Sequence, residues 1–590
     1  MKKAYYYILF GAAIVLVFIL SLNVRNIFTV SELGDEAGYF YNAAFFTKTN
    51  WDSVGAYNPY YGYGYSLLLL PLWANTKNGV ELIRGAVCVN IGLITLSYFM
   101  ITYLLNRIVF KNKSIFAPLI SFVMCFSPYI VSSTFKTICE CTIVFHTCLC
   151  LVLFYKMLSK NKPLYAVLFG ICLAYGYAIH TRLLFVIFIF LFVWMATSLR
   201  FGLINGKKFK KYIRTYIAAA VGFVVAFLVI YLVKRQILSY RESIALAKSN
   251  QGNIVDSDTI SQRFSWLFNS KNTGLYLLSF FAKFFYAVVE SFGLCFIGTH
   301  FLIKSMRKDA QHNNHAQYGT KLFILIGWFS LILIFTLIGP GSVDKFTTFF
   351  YARYYESLLI IFVAFTIAFA LKEKVSLAQI VTSITGVIIL RFIAGILKYK
   401  LKSEVVHLDT NRAPFFAVAT KFTDNYGTML NIMMCICIGV LILFYLTSNK
   451  VKMAAVVVIL FVFVVASSVC IAEINRINEL GKADAEIALN ILEDKDKEHV
   501  LFVDDNSYNY SNFFARFQVL LKDEPLLVDK VNPTEAEYKA LCDTCYIRMT
   551  HNDYIVLYKF SPINDYLVNY GTNYVDGDVF RMYYITSEND

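Results

Sequence analysis

Apolar runs of about 18 residues or more recur along most of this chain, each long enough to cross a hydrocarbon core of about 30 Å. They are continuous rather than alternating, which excludes barrel strands. With 58% hydrophobic residues, only 16% charged and a mean hydropathy of +0.57, the chain has too little charge to cover a soluble surface. Spans are expected near 5–22, 83–106, 115–134, 141–158, 164–179, 183–199, 215–233, 276–303, 322–339, 355–371, 376–396, 429–447 and 453–471. The sequence therefore reads as a polytopic α-helical membrane protein of about thirteen transmembrane helices, residues 1–471, followed by a small α/β domain, residues 472–590. The run from Tyr5 to Leu22 follows Met1-Lys2-Lys3, and Leu22-Asn23-Val24-Arg25 offers no small-residue cleavage site. It is expected to stay as the first span.

Charge gives the layout a direction. Alternate loops (Lys2/Lys3, Arg107–Lys113, Lys156–Lys162, Arg200–Arg214, Lys304–Lys321, Lys372–Lys374 and Lys450–Lys452) hold 22 basic residues against two acids, Asp309 and Glu373. Basic loops stay cytoplasmic, so the N-terminus is expected inside and, after an odd number of spans, the C-terminal domain outside the cell membrane. The outer loops are then 23–82, 234–275, 340–354 and 397–428. Residues 472–590 carry 11 Lys and Arg against 22 Asp and Glu, so the overall +15 belongs to the membrane part. Those basic residues are spread along membrane edges rather than gathered in one domain, which points to lipid headgroups and not to nucleic acid. In the tail, Ile477–Leu492 and Pro533–Leu541 read as helices, and Val500–Val503, Tyr546–Met549 and Tyr554–Tyr558 as strands.

Most of the 13 cysteines, among them Cys88, Cys125, Cys148 and Cys150, lie inside apolar runs, where Cys acts as a small hydrophobe. Cys542 and Cys545 form a C-x-x-C in the tail with no second pair to complete a zinc site; a local disulfide or two free thiols is expected.

The outer face collects the chemistry. Ser31-Glu32-Leu33-Gly34-Asp35-Glu36-Ala37-Gly38-Tyr39 places three carboxylates just beyond the first span. Asp35 has a plain alternative role as a helix cap, with Glu36 favouring the helix N-terminus. Glu140 opens the fourth span, where a charge is costly unless it faces a polar partner or cavity. Lys136, His180, Arg182 and Arg353 stand at neighbouring span ends. Each alone suits an interface anchor, and the arginines also suit a phosphate at the bilayer surface. Tyr57-Asn-Pro59-Tyr60-Tyr61-Gly-Tyr63-Gly-Tyr65 reads either as an interfacial belt or as a sugar-stacking surface.

In order and placement, Gly34-Asp35-Glu36-x-x-Tyr39, the aromatic Pro/Gly loop, Glu140, Arg182, Arg353-Tyr354 and the outer soluble domain resemble the GT-C glycosyltransferases. These include the protein O-mannosyltransferase, aminoarabinose-transferase and related bacterial branches. The resemblance covers nearly the whole chain in layout, with the Asp-Glu pair as its one sharp motif. It implies Asp35 as general base, Glu36 as its orienting neighbour and Glu140 as the second acid. Arg182 and Arg353, with Lys136, would hold the phosphate of a polyprenyl-phosphate sugar, and His180, Tyr39, Tyr61, Tyr63 and Tyr354 would line the substrate. It further implies transfer to a glycan, lipid or protein acceptor by base-assisted inverting displacement. Asp35 and Glu140 are also the residues that would hold a divalent cation, Mg²⁺ or Mn²⁺, if one is used. The sequence departs from the aminoarabinose branch in the plain Gly34 before the pair, and from eukaryotic mannosyltransferases in lacking a β-trefoil-like insertion. A multi-pass transporter or flippase of lipid-linked sugars is the competing reading, but carriers usually show midplane charges and duplicated halves, and no repeat is found here. An outer-face polymerase or ligase would lean on Arg and His rather than on an early Asp-Glu pair.

Overall fold

In the computed structural model the described residues are 2–31, 33–53, 61–203, 206–247, 270–338, 349–397, 413–420, 422–446, 449–493, 499–505, 513–531, 537–550, 553–570 and 572–584. Each expected span falls on a helix, but their regularity differs. Ten described helices are long and apolar enough to cross a membrane, and eleven if one bent pair counts as a single span. The expected spans 164–179 and 355–371 form shorter helices of 17 residues each, α8 (Pro163–Ile179) and α14 (Glu356–Lys372).

Two expected spans are broken. Residues 115–134 form α5 (Phe116–Cys125) and α6 (Pro128–Thr134), bent by 59°. Pro128 cannot donate to the preceding turn, and Ser127 caps the new helix by accepting from the Ile130 N–H at 3.4 Å. Residues 276–303 are interrupted between α11 (Ser270–Glu290) and α12 (Leu294–Gln311), where Phe292 and Gly293 take positive φ angles of 55° and 72°. A continuous helix cannot pass through two left-handed residues.

The helix α10 (Gly206–Ala247) has 42 residues, about 60 Å at 1.5 Å per residue, twice the hydrocarbon thickness. It therefore projects beyond the bilayer, and Arg241 reaches the Asn42 Oδ1 at 2.5 Å on α2 (Leu33–Thr47). Its packing on α8 is close because Gly170 and Gly222 face each other's helices; a Cβ at Gly170 would collide with the Ala219 carbonyl.

The C-terminal part contains one mixed five-stranded sheet ordered β2-β1-β3-β5-β4. Its strands are β1 (Val500–Asp504), β2 (Leu526–Lys530), β3 (Tyr554–Tyr558), β4 (Asn573–Asp576) and β5 (Phe580–Tyr584). β1 runs parallel to both β2 and β3, with Val500 opposite Leu526 and Tyr554; β5 is antiparallel to β3 and β4. β1 and β3 are buried on both faces, which is why they read as unbroken apolar runs. Tyr546–Met549, expected as a strand, lies instead in a helix, Tyr538–Thr550. Cys542, Cys545 and Met549 are its buried residues, and their three- and four-residue spacing decides the matter. Both of these cysteines are free thiols. The expected helix Ile477–Leu492 divides at Gly481 between Asn449–Leu480 and Lys482–Glu493. The first of these is continuous from the last span into the tail. The other expected helix starts later, at Tyr538, residues 532–536 being outside the described set.

The sheet domain docks on the first long loop. Asn478 accepts from the backbone N–H groups of Phe28 and Thr29 at 2.8 and 3.0 Å, and the Trp51 and Trp73 indoles donate to the Lys522 carbonyl (2.6 Å) and to Asp523 (2.7 Å). A Cβ at Gly79 would collide with the Val519 carbonyl, so glycine is required for this approach. The tail and the Asp35 loop thus share one face. The basic loops meet on the other, where Lys113 bonds Tyr6, Gln317 donates to the Arg107 carbonyl at 3.2 Å and Lys452 to the Ala370 carbonyl at 2.8 Å.

Candidate active site

Helix α2 starts just before the acidic pair, and adjacent residues on a helix point about 100° apart. Asp35 and Glu36 consequently meet different surroundings. Asp35 does not cap its helix: among the described residues it accepts from the Tyr61 hydroxyl and pairs with Arg353. Glu36 is buried and turned into a clamp. Its Oε1 accepts from the Thr137 N–H (2.6 Å) and Oγ1 (2.7 Å), and its Oε2 from the Ser31 N–H (2.6 Å). This clamp ties the start of α2 to the turn that leads into α7 (Glu140–Lys160).

Glu140 opens α7 and is 0% exposed. A carboxylate so placed requires fixed partners, and among the described residues it has Arg182, the Nε of Arg353, and the Tyr129 hydroxyl at 3.2 Å. Arg353 therefore bridges the two acids, its Nη1 on Asp35 and its Nε on Glu140. Arg182 lies over the Tyr354 ring at 5.1 Å, and its Nη1 is buried without a hydrogen-bond partner among the described residues. A guanidinium donor left open in a buried, charged site is positioned to donate to an anionic oxygen.

Beside Arg353 is a small recess of about 10 Å³, room for about one water, lined by Tyr129, Ser132, Ser133, Lys136, Ile138 and Pro414. The break between α5 and α6 creates it. The Lys136 carbonyl accepts from Asn90 Nδ2 at 2.8 Å, which holds the turn in place. The structure thus brings Asp35, Lys136 with Glu140, Arg182 and Arg353 together from four separate segments.

The aromatic residues divide. Tyr61 touches Asp35 and pairs with His180 in an isolated antiparallel bridge. Tyr39 is fully buried behind Tyr61, ring centroids 5.3 Å apart, and donates to the Cys139 sulfur at 2.7 Å; it supports the site wall. Tyr354 packs at a tilt against Phe335 and Tyr351, ring centroids 4.7 Å apart in each case. Tyr63, expected to line the substrate, is directed elsewhere. It sits in a separate apolar cluster with Ala174, Ala178 and Ile230 and donates to the Ile230 carbonyl at 3.3 Å. Two residues apart on an extended segment, Tyr61 and Tyr63 would share a face, but Tyr63 (φ −93°, ψ −7°) already turns into the helix Gly64–Asn75, and Gly62 packs tightly on the Ala178 carbonyl. Tyr57 and Tyr60 lie outside the described residues.

Electrostatics set the protonation states. Burial pushes the Asp35 carboxyl up, but Arg353 and the Tyr61 hydroxyl together outweigh it and hold Asp35 below its ordinary value. Burial, then the nearby Arg353 charge, pushes His180 down to about 3, so this imidazole is neutral; its Nδ1 accepts the Arg182 N–H at 3.1 Å. Arg353 stands between Asp35 and Glu140, where a bridging Mg²⁺ or Mn²⁺ would need open carboxylate oxygens. As arranged, this pair does not fit such a cation.

Tyr129, Ser132, Ser133 and Thr137 also belong to the site, and no motif in the sequence marks them individually. The Ser-Pro dipeptide Ser127-Pro128 inside an apolar run was the available signal, since it marks a break beside which polar groups gather.

No protein-family model matches the chain, and no curated protein matches it in sequence. In structure it matches ArnT from Cupriavidus metallidurans bound to undecaprenyl phosphate, with a TM-score of 0.53 over 99% of this chain and 98% of that one, at 13% identity. Apo ArnT from the same organism matches over the same shares at 0.51 and 13%. The chain has the GT-C fold. Coverage of both chains from end to end extends the GT-C likeness to the C-terminal sheet domain as well as the helices. The GT-C architecture is thus present at an identity that leaves its side chains to be argued from their own geometry.

Proposed function

We propose that this protein is a glycosyltransferase that moves a sugar from a polyprenyl-phosphate donor to a hydroxyl acceptor on the outer face of the cell membrane. The observation that carries the reading is the bridging position of Arg353 between Asp35 and Glu140, beside the Lys136 recess and the open Nη1 of Arg182. Undecaprenyl phosphate bound to ArnT of the same fold supports a lipid-phosphate donor, and the sidedness of the basic loops supports the outer face.

In this reading the donor phosphate enters at Arg353, Arg182 and Lys136. The acceptor oxygen attacks the anomeric carbon as its proton passes to Asp35. The bond from that carbon to the phosphate oxygen breaks, the lipid phosphate leaves with the electron pair, and the anomeric configuration inverts. Fixed cations stabilise the leaving charge, and a carboxylate within reach of the acceptor supplies the base. Arg353 couples the two halves: when the phosphate engages its guanidinium, Asp35 loses a partner that holds its basicity down, and becomes the stronger base. Glu36 fixes the backbone that carries Asp35, and Glu140 keeps both arginines in place. A glycan, a lipid or a protein hydroxyl serves as acceptor. A carrier would place its charges near the bilayer midplane, whereas this network sits at helix ends.

The test is Asp35→Asn in purified protein, assayed with a panel of polyprenyl-phosphate sugars. Turnover is expected to fall by about 10²–10⁴-fold with the fold intact. Wild-type turnover in a folded variant would remove Asp35 from the mechanism.

A further inference from the structure

A second charged cavity lies on the face opposite the Asp35 site. Helix α4 (Gly79–Leu105) begins against the C-terminal domain at Gly79 and runs 27 residues, about 40 Å, to the other face. It ends there in a π-helical turn, Asn106–Phe110, followed by Lys111 in the left-handed region at φ 64°. Asn106 holds the turn, donating to the Tyr5 hydroxyl at 3.0 Å and accepting the Ser114 N–H at 2.8 Å. A lysine in this conformation costs about 1–2 kcal/mol, and such residues and π turns recur at binding sites.

The cavity formed there has a volume of about 100 Å³, smaller than a drug-sized site of about 300–1,000 Å³ but enough for a phosphate group. Five lysines line it, Lys111, Lys304, Lys308, Lys321 and Lys372, against two carboxylates, Asp309 and Glu373. Asp309 is engaged by Lys321, which is buried and also donates to the Ser305 hydroxyl at 2.7 Å. Glu373 meets Lys304 only at 4.0 Å, and Lys372 donates to the Val109 carbonyl at 2.5 Å. The ammonium groups of Lys111 and Lys308 have no hydrogen-bond or ion-pair partner among the described residues.

Orientation of the chain in the membrane requires lysines on this face but not their convergence, and like charges gathered around one cavity repel. An anion offsets that cost. The same cavity has an apolar side, with Ile108, Val109, Phe301 and Phe369. We propose that it binds a phosphate-bearing anion, either the headgroup of an anionic phospholipid or a small soluble phosphate, between the π turn and helices α12, α13 (His315–Ile338) and α14.

The full chain in detergent is titrated with short-chain phosphatidylglycerol, with phosphatidylcholine of equal chain length and with inorganic phosphate, following its melting temperature. Stabilisation by phosphatidylglycerol and not by phosphatidylcholine identifies the lipid headgroup; stabilisation by inorganic phosphate identifies the soluble anion. In either case Lys111→Gln/Lys308→Gln weakens the response about 10–30-fold in concentration, while Lys160→Gln/Lys162→Gln, on the same face but outside the cavity, leaves it unchanged. No response to either phosphate, an equal response to phosphatidylcholine, or equal weakening by both double variants overturns the proposal. None of these readouts uses glycosyl transfer.

Discussion

The two faces of this protein use positive charge in opposite ways. On the face that carries Asp35 the cations that reach the carboxylates are arginines: Arg353 spans Asp35 and Glu140, and Arg182 holds Glu140. On the other face they are lysines around an open cavity, and two of them meet no partner among the described residues. The difference follows from burial. A carboxylate with no exposure needs a planar donor set held in one geometry, which a guanidinium provides. On the other face Lys321 alone among the described lysines is buried with a carboxylate partner, whereas Lys111 and Lys308 are exposed, and an exposed ammonium on a flexible stem acts through its field. Arginine here serves geometry, and lysine serves potential.

The strongest way to break that contrast is to exchange the cation types. Arg353→Lys is expected to lower turnover by about 10²–10³-fold, because one ammonium cannot serve two carboxylates and a phosphate together. On the other face Lys160→Arg should leave turnover within about twofold. Single-turnover assays of both decide it, and a fully active Arg353→Lys removes the geometric role assigned to arginine. A smaller effect is expected from Gly38→Ala, whose new Cβ would collide with the Tyr61 ring and displace the hydroxyl that serves Asp35. A fall of about tenfold in kcat is expected; unchanged kcat would detach Tyr61 from the site.

Glu36→Gln sharpens the difference between the neighbouring acids. A Gln amide would face backbone donors with a donor of its own, and a loss of about 1–3 kcal/mol in stability is expected, measured by denaturant unfolding. Another effect on stability is in pH. His180 titrates near 6.5 when unfolded and about 3 when folded, so below 6.5 the unfolded chain binds the extra proton. The melting temperature should therefore decline as pH falls from about 6.5 toward 3, and His180→Asn should make that decline shallower. An identical slope in the variant would show that the imidazole is not buried neutral.

Much of this was legible in one dimension. Apolar runs located the helices, since a helix crossing lipid must satisfy its backbone internally and cover itself with apolar side chains. Alternating basic loops grouped the chain ends into two faces, and the structure groups them the same way. Asp35, Glu140, Arg182, Arg353 and Lys136 could be nominated because a charge at a span end is costly and therefore informative. Their assembly could not, for it depends on contacts such as Arg353 with Asp35, 318 positions apart. Neighbouring Asp35 and Glu36 look equivalent as letters, and only the helix direction sends one to Arg353 and the other to Thr137. Tyr61 and Tyr63 likewise part company at Gly62, where the backbone packs against Ala178. Hydrophobic patterning is a local property and specifies which segments are buried in lipid. Which side chains meet inside is set by helix rotation, breaks and close packing, and these exist only once the segments have assembled.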